Sequence, residues 1–294
     1  MVFIMKIKVV YSPKVVSESG SKISPSAGKP KLLAERLQND PNIEFVEPEP
    51  VTVEDILRCH DEKYVNDILT LKQMNGFGTR SQSVVDSLPW TNGAMYTAAK
   101  LAYQTKEPTC AIVAGFHHAG YNGFENLGYF CTFNGLMIAA MKLVANDGCS
   151  RVSIVDCDMH WGNGTDDILK HIIDGHRYTN ISFGKYFGNY DTAENYLLYF
   201  VSVRKQLQEF KPKLIIYQSG ADVHVNDPFG GILTEEQMYE RDIRMFTIAK
   251  ELNIPITWTL AGGYQKDKDG GCSYVLKLHM NTFDACRKVY EYNT

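Results

Sequence analysis

Residues 154–165 read Ile-Val-Asp-Cys-Asp-Met-His-Trp-Gly-Asn-Gly-Thr, and the fold turns on this stretch. An apolar run over 151–155 ends in Asp156, Asp158 and His160, and alternation in an extended backbone points all three side chains the same way. Two carboxylates and an imidazole then converge just beyond a strand. A glycine turn, Gly162-Asn163-Gly164, follows at once. This is the pattern of a metal site at a strand's C-terminal end; the plainer alternative is that acids after a strand only cap the next helix.

Working outward, short apolar runs alternate with helical periods. Strands are expected over 1–12, 110–114, 151–155, 178–183, 214–218 and 256–260. Helices are expected from 31, from 52, and over 90–103, 134–147, 165–173, 193–210, 235–252 and 274–290. The stretches 12–30 and 76–89, rich in Ser, Gly, Lys and Pro, read as exposed connections. The alternation implies an α/β fold, one domain over 1–294, with a mostly parallel central sheet and helices on both faces.

At 294 residues the chain is long enough for a substantial core, and 44% hydrophobic with 22% charged residues is an ordinary globular balance. Thirty-four acidic against thirty basic side chains leave a net charge of −4, so no basic field exists to hold nucleic acid by its phosphates. No apolar run approaches the roughly 20 residues of a membrane span, and the N-terminus lacks a signal-peptide pattern. Seven scattered cysteines, none spaced Cys-x-x-Cys, suggest reduced thiols and an intracellular, cytoplasmic protein.

Ligands of such folds sit beyond the carboxyl ends of the strands, and unusual residues fall there four times: His117 and His118, the 156–160 triplet, Asp222 and Asp227, and Tyr264. Adjacent histidines on a regular strand would point to opposite faces. For both to serve one site the backbone must leave β geometry, which Gly115 and Gly120 permit. A catalytic zinc takes three protein ligands, so Asp158 and His160 need a third. Asp222 and Asp227 are the candidates, with His224 a competitor that spacing does not remove. His60, alone between two helices, reads as a capping or packing residue.

The set His-His-Ala (117–119), Asp-Cys-Asp-Met-His-Trp-Gly-Asn-Gly-Thr (156–165), Gly-Ala-Asp-Val-His-Val-Asn-Asp-Pro-Phe-Gly-Gly (220–231) and Gly-Gly-Tyr (262–264) resembles the zinc-dependent histone deacetylase and acetylpolyamine amidohydrolase superfamily, with its arginase/deacetylase fold. The motifs run over 115–264 in the family's order; the stretch before Trp90 matches more loosely. The resemblance implies one Zn2+, with Fe2+ suited to the same donors, held by Asp158, His160 and Asp227, the acid before Pro-x-Gly. Asp222 is then a buried hydrogen-bonding acid. It further implies that His117 and His118 hold a zinc-bound water, His117 bonded to Asp156 and His118 acting as proton shuttle, while the Tyr264 hydroxyl stabilises the oxyanion. Phe130 matches one wall of an acyl-lysine tunnel, with Tyr186 or Phe187 opposite. Asp156, Asp158, His160, Ser182 and Phe183 match the positions that hold a structural K+ ion.

The chain departs from many relatives at Asn163, where an aspartate often pairs with the second histidine; a neutral amide orients the ring without raising its basicity. The activity implied is removal of an acetyl or other short acyl group from an acylated amine. N-acetyl-lysine in a peptide or protein comes first, because Leu233 occupies the approximate rim position where polyamine-preferring relatives place an acid, although Glu235 and Glu236 lie close by. An acetylpolyamine or other small acylated amine is the alternative. A two-manganese ureohydrolase fits less well, since Gly162 stands where a further metal-binding aspartate would be, and a silent acyl-lysine binding module would be expected to have lost a ligand or the tyrosine. Beyond the acylated substrate, neither direct nucleic-acid binding nor a membrane is expected, and the oligomeric state is left open by the sequence.

Overall fold

The computed structural model describes residues 6–19, 24–123 and 130–290. Parts of the expected first strand (1–5), of the 12–30 stretch (20–23) and of the segment after the histidine pair (124–129) lie outside these. Among the described residues seven strands, β1 (Ile7–Val10), β2 (Ile43–Val46), β3 (Thr109–Ala111), β4 (Val152–Asp156), β5 (Tyr178–Ser182), β6 (Leu214–Gly220) and β7 (Ile256–Ala261), form one sheet in the order β2-β1-β3-β7-β6-β4-β5. Every pairing is parallel.

Among the described residues ten helices surround the sheet: α1 (Lys29–Leu37), α2 (Val53–Leu57), α3 (Glu62–Leu69), α4 (Gln82–Thr105), α5 (Gly135–Asn146), α6 (Asn163–His171), α7 (Ala193–Leu198), α8 (Phe200–Phe210), α9 (Glu235–Glu251) and α10 (Ser273–Tyr290). Successive strand residues face opposite sides. Val152 and Ile154 of β4, with Leu214 and Ile216 of β6, join the core under α2 to α6, whereas Val155, Ile215 and Tyr217 join the core under α1 and α7 to α10. Coverage on both faces explains why these strands read as apolar runs.

Four expectations change. Ile43–Val46 forms β2 at the sheet's edge, a strand whose Glu44 and Phe45 face outward and whose run is too short to announce itself. The polar stretch 76–89 is helical from Gln82, and Pro89 lies inside α4, where Val84, Val85 and Leu88 bury against the core despite the missing N–H. The expected 193–210 helix is divided at Tyr199. The described part of the 12–30 connection is not uniformly exposed: Ser12, Val15, Ser24, Ser26, Ala27 and Lys29 are buried, and Lys29 reaches the Gly262 carbonyl just past β7.

Candidate active site

The ladder between β4 and β6 ends at Asp156 opposite Gln218, so the residues that follow Asp156 leave the sheet at its C-terminal edge. Asp156 is fully buried and is fixed from several directions. It accepts from His117 Nδ1 (2.7 Å), Gln218 Nε2 (3.2 Å), Ser182 Oγ (3.3 Å) and the Asp158 amide (3.2 Å). Gly162 is required beside it, since a Cβ there would stand 2.5 Å from Asp156 Oδ2.

The histidine pair sits on irregular backbone after β3, and its rings lie 4.1 Å apart between centroids. The two meet opposite environments. Burial opposes a charge on His117, but Asp156 and Asp158 together outweigh it and hold its pKa up to about 9. His118 donates from Nδ1 to Asn163 Oδ1 at 2.8 Å, which leaves Nε2 as its basic atom. Burial and the neighbouring His117 push its pKa down to about 3.

Asp158, His160 and Asp222 present donor atoms that all lie within 4.8 Å of one another. His160 Nδ1 is 3.2 Å from Asp158 Oδ1 and 2.9 Å from Asp222 Oδ2. Asp227, the third ligand expected from the motif, is not in this 4.8 Å grouping: it accepts from the Tyr264 amide (2.7 Å) and the Phe229 amide (3.0 Å). Each of those bonds uses one oxygen, so lone pairs remain. Asp222 is more enclosed, accepting from the Met159 amide (3.2 Å) and packed so closely under Gly262 that a Cβ there would stand 2.2 Å from its Cγ.

These residues suit a divalent cation. Burial and the adjacent Asp158 raise the Asp222 carboxyl to about 7, the sign of buried like charges crowded together that a cation would relieve. His160, whose charge burial opposes, is nevertheless held up to about 11 by hydrogen bonds to the same two acids. Of the positions matched to a monovalent ion, Asp156 and Ser182 meet side chain to side chain, while the Phe183 ring points into the core against Tyr196 and Phe200.

Tyr264 follows two glycines in left-handed backbone, Gly262 at φ 49° and Gly263 at φ 83°. Its ring lies between Phe130 (5.4 Å) and Phe229 (4.9 Å). Burial, with Asp222 and Asp158 nearby, raises the phenol well above its ordinary pKa, so it remains an O–H donor at neutral pH. Leu233 is fully buried in the core beside His224, so it is not a rim residue, and the expectation built on it falls. Phe187 is half-buried against Phe183, Tyr196 and Tyr199. The ring facing Phe130 across Tyr264 is Phe229, whose position directly after Asp227-Pro228 was the available signal.

Sequence reasoning also missed Lys29. Its Nζ donates to the Gly262 carbonyl, and it is wholly buried among Cys272, Asp222, Asp158 and Asp227. Burial pushes its pKa down to about 8, against the pull of those groups. No pattern in the Ser- and Pro-rich segment marked it.

The sequence profile of the histone deacetylase domain matches residues 26–187 and 177–278. The chain is 27% identical over 252 residues to "Histone deacetylase 2" of Arabidopsis thaliana, covering 76% of this chain and 64% of that protein. It is 24% identical to the "Probable deacetylase" of Methanothermobacter thermautotrophicus, covering 89% and 87%. Among solved structures, the acetylpolyamine aminohydrolase of Burkholderia pseudomallei superposes with a TM-score of 0.75 at 15% identity, over 97% of this chain and 99% of that one. The chain therefore spans under two thirds of the Arabidopsis relative and nearly the whole of the other two.

Proposed function

From the premise that the chain belongs to the histone deacetylase family, we propose that it is a metal-dependent deacylase acting on N-acetyl-lysine in peptides or proteins. The observation that carries the reading is one constellation: His117 on Asp156, His118 on Asn163, and Tyr264 facing the acids Asp158, Asp222 and Asp227.

Asp158 and His160 would hold a divalent ion, zinc or iron, with Asp227 as the third ligand; K+ would sit beside Asp156 and Ser182. The divalent ion supplies Lewis acidity, making water more acidic and polarising a carbonyl. The chain's own groups do the rest. Neutral His118 takes the proton of an attacking water at Nε2 and returns it to the departing amine. His117, hydrogen-bonded through Nδ1 to Asp156, is an orienting and electrostatic group beside His118. The Tyr264 O–H donates to that oxyanion from a buried position, where a fixed donor acts more strongly than in water. Asn163 orients His118 without adding charge.

Acyl-lysine is favoured over a free polyamine by the mouth. Phe229, Trp161 and Tyr186 are exposed aromatic rings, suited to a peptide flanking the acyl group. Glu235, an acid close to Leu233 in sequence, is engaged by Lys277, Asn281 and Tyr274. A second active-site metal lacks a ligand, because residue 162 is a glycine with no room for a side chain. No described helix is long and apolar enough to cross a membrane.

The test is turnover by metal-replete protein of a panel of acetyl-lysine peptides, longer acyl-lysine peptides and acetylated polyamines. Acetyl-lysine peptides should be the best substrates, and Tyr264→Phe should lower kcat by about 10²- to 10³-fold. Preference for acetylpolyamines would replace the lysine assignment. A wild type that turns over none of them and binds no divalent ion refutes the enzyme reading.

A further inference from the structure

Beneath the carboxylates lies a second charged pair that the proposed chemistry does not use. Arg241 and Asp242, consecutive on α9, are each 1% exposed. A guanidinium is buried only where its donors and charge are matched. Arg241 Nε donates to Asp242 Oδ1 at 2.8 Å, and Nη1 donates to two backbone carbonyls, Gly220 (2.5 Å) and Cys157 (3.4 Å). Asp242 in turn accepts from the Tyr217 hydroxyl and from Thr282 Oγ1 (2.7 Å), while Tyr196 also donates to the Cys157 carbonyl (2.9 Å).

The two carbonyls are informative positions. Cys157 lies between Asp156 and Asp158, and Gly220 is the last residue of β6, two before Asp222. The paired register of β4 and β6 stops at Asp156 opposite Gln218. Past that point the two backbones still touch, since a Cβ on Gly220 would stand 2.4 Å from the Asp158 Cα. The Cys157 amide still donates to the Gln218 carbonyl at 3.0 Å, and beyond that bond one planar donor group spans both segments through the Cys157 and Gly220 carbonyls.

We infer that Arg241 is a positioning residue for the metal ligands: its guanidinium, anchored by Asp242, fixes the peptide between Asp156 and Asp158 against the peptide leading to Asp222 and Asp227, and so sets the separation of the carboxylates. The inference rests on the metal reading above. Arg241 itself touches neither substrate nor metal. The function needs an arginine, because a lysine ammonium keeps the charge but lacks the fork that reaches two carbonyls and a carboxylate at once.

The test uses Co2+ as the probe, titrated into metal-free wild type, Arg241→Lys and Arg241→Met against a competing chelator, with the visible ligand-field spectrum recorded. Arg241→Lys is expected to keep the wild-type near-ultraviolet circular dichroism and cooperative unfolding, yet to bind Co2+ about 10- to 100-fold more weakly with displaced ligand-field bands. Thr282→Val, which loosens only Asp242, should give a smaller loss in the same direction. Wild-type affinity and spectrum in folded Arg241→Lys overturn the inference. Should both arginine variants fail to fold, Thr282→Val decides, and unchanged affinity there overturns it. A wild type that binds no Co2+ removes the metal reading and this inference with it, whereas tight wild-type binding with indifferent variants removes this inference alone.

Discussion

The floor of the site and its wall are held by different physics. The floor, at the ends of β4 and β6, inherits its geometry from sheet registration, and Asp156 alone accepts four hydrogen bonds there. The wall, which carries His117, His118, Phe130 and Tyr264, is irregular chain with left-handed backbone at Gly115, Phe130, Gly262 and Gly263. It is tied down by side chains reaching backbone: His60 to Gly120, Tyr64 to Thr132, Asn134 to Ala119, and Lys29 to Gly262. The floor fixes where charge sits, and the wall fixes what approaches it.

Asp227 is the hinge between the two, because it lies near the floor's acids yet accepts the amide of Tyr264 in the wall. This gives the largest expected effect. Asp227→Asn should weaken divalent-metal affinity by two orders of magnitude or more, whereas Asp222→Asn, an outer partner of His160, should weaken it by about tenfold. Chelator competition measures both. The reverse order would place Asp222 among the ligands, as the 4.8 Å grouping of side-chain donors would have it.

The histidine pair sharpens the contrast within a single dipeptide: His117 leans on a floor carboxylate, His118 on the amide of Asn163. Replacing the amide by a carboxylate should make His118 more basic, since an adjacent negative charge favours the protonated ring. The base must be neutral to act, so the acidic limb of the kcat/KM pH profile should move upward in Asn163→Asp, by about one unit or more. An acidic limb that stays in place would show that His118 is not the group titrating there.

The same contrast explains what could be read in the sequence. The floor was legible: a buried strand must be apolar, so Asp156, Asp158 and His160 stand out directly after one, and the β6 and β7 ends carry their own acids and tyrosine. The fold followed from the same alternation, apart from the short edge strand β2 and the proline within α4. The wall was legible only where glycine or tandem histidine marked it. Leu233 was misplaced because two residues of turn decide whether a side chain faces the rim or the core, and the turn's conformation rests on Gly230 and Gly231 at φ 117° and 158°. Lys29 and Arg241 were hidden for a different reason: a lysine or arginine in an ordinary segment carries no local sign that it is buried against groups far along the chain, Lys29 against Asp158, Asp222 and Gly262, and Arg241 against the carbonyls of Cys157 and Gly220.

His60 brings the contrast down to stability. It donates from Nδ1 to the Gly120 carbonyl (2.7 Å) and accepts at Nε2 from the Asn134 amide (2.9 Å), so it clasps both ends of the wall segment in one neutral tautomer. Burial pushes its pKa down to about 4 from 6.5. The unfolded chain therefore binds a proton first as pH falls: the stabilisation is complete above pH 6.5 and is lost progressively between 6.5 and 4. Between pH 7 and 5 this one group should cost about 2 kcal/mol of folding free energy. Denaturant unfolding with chelator present, compared with His60→Gln, isolates the term from the other titrating groups. Wild type should lose about that much more stability than the variant over the interval, and equal losses would mean that the wall is not clasped by an uncharged imidazole.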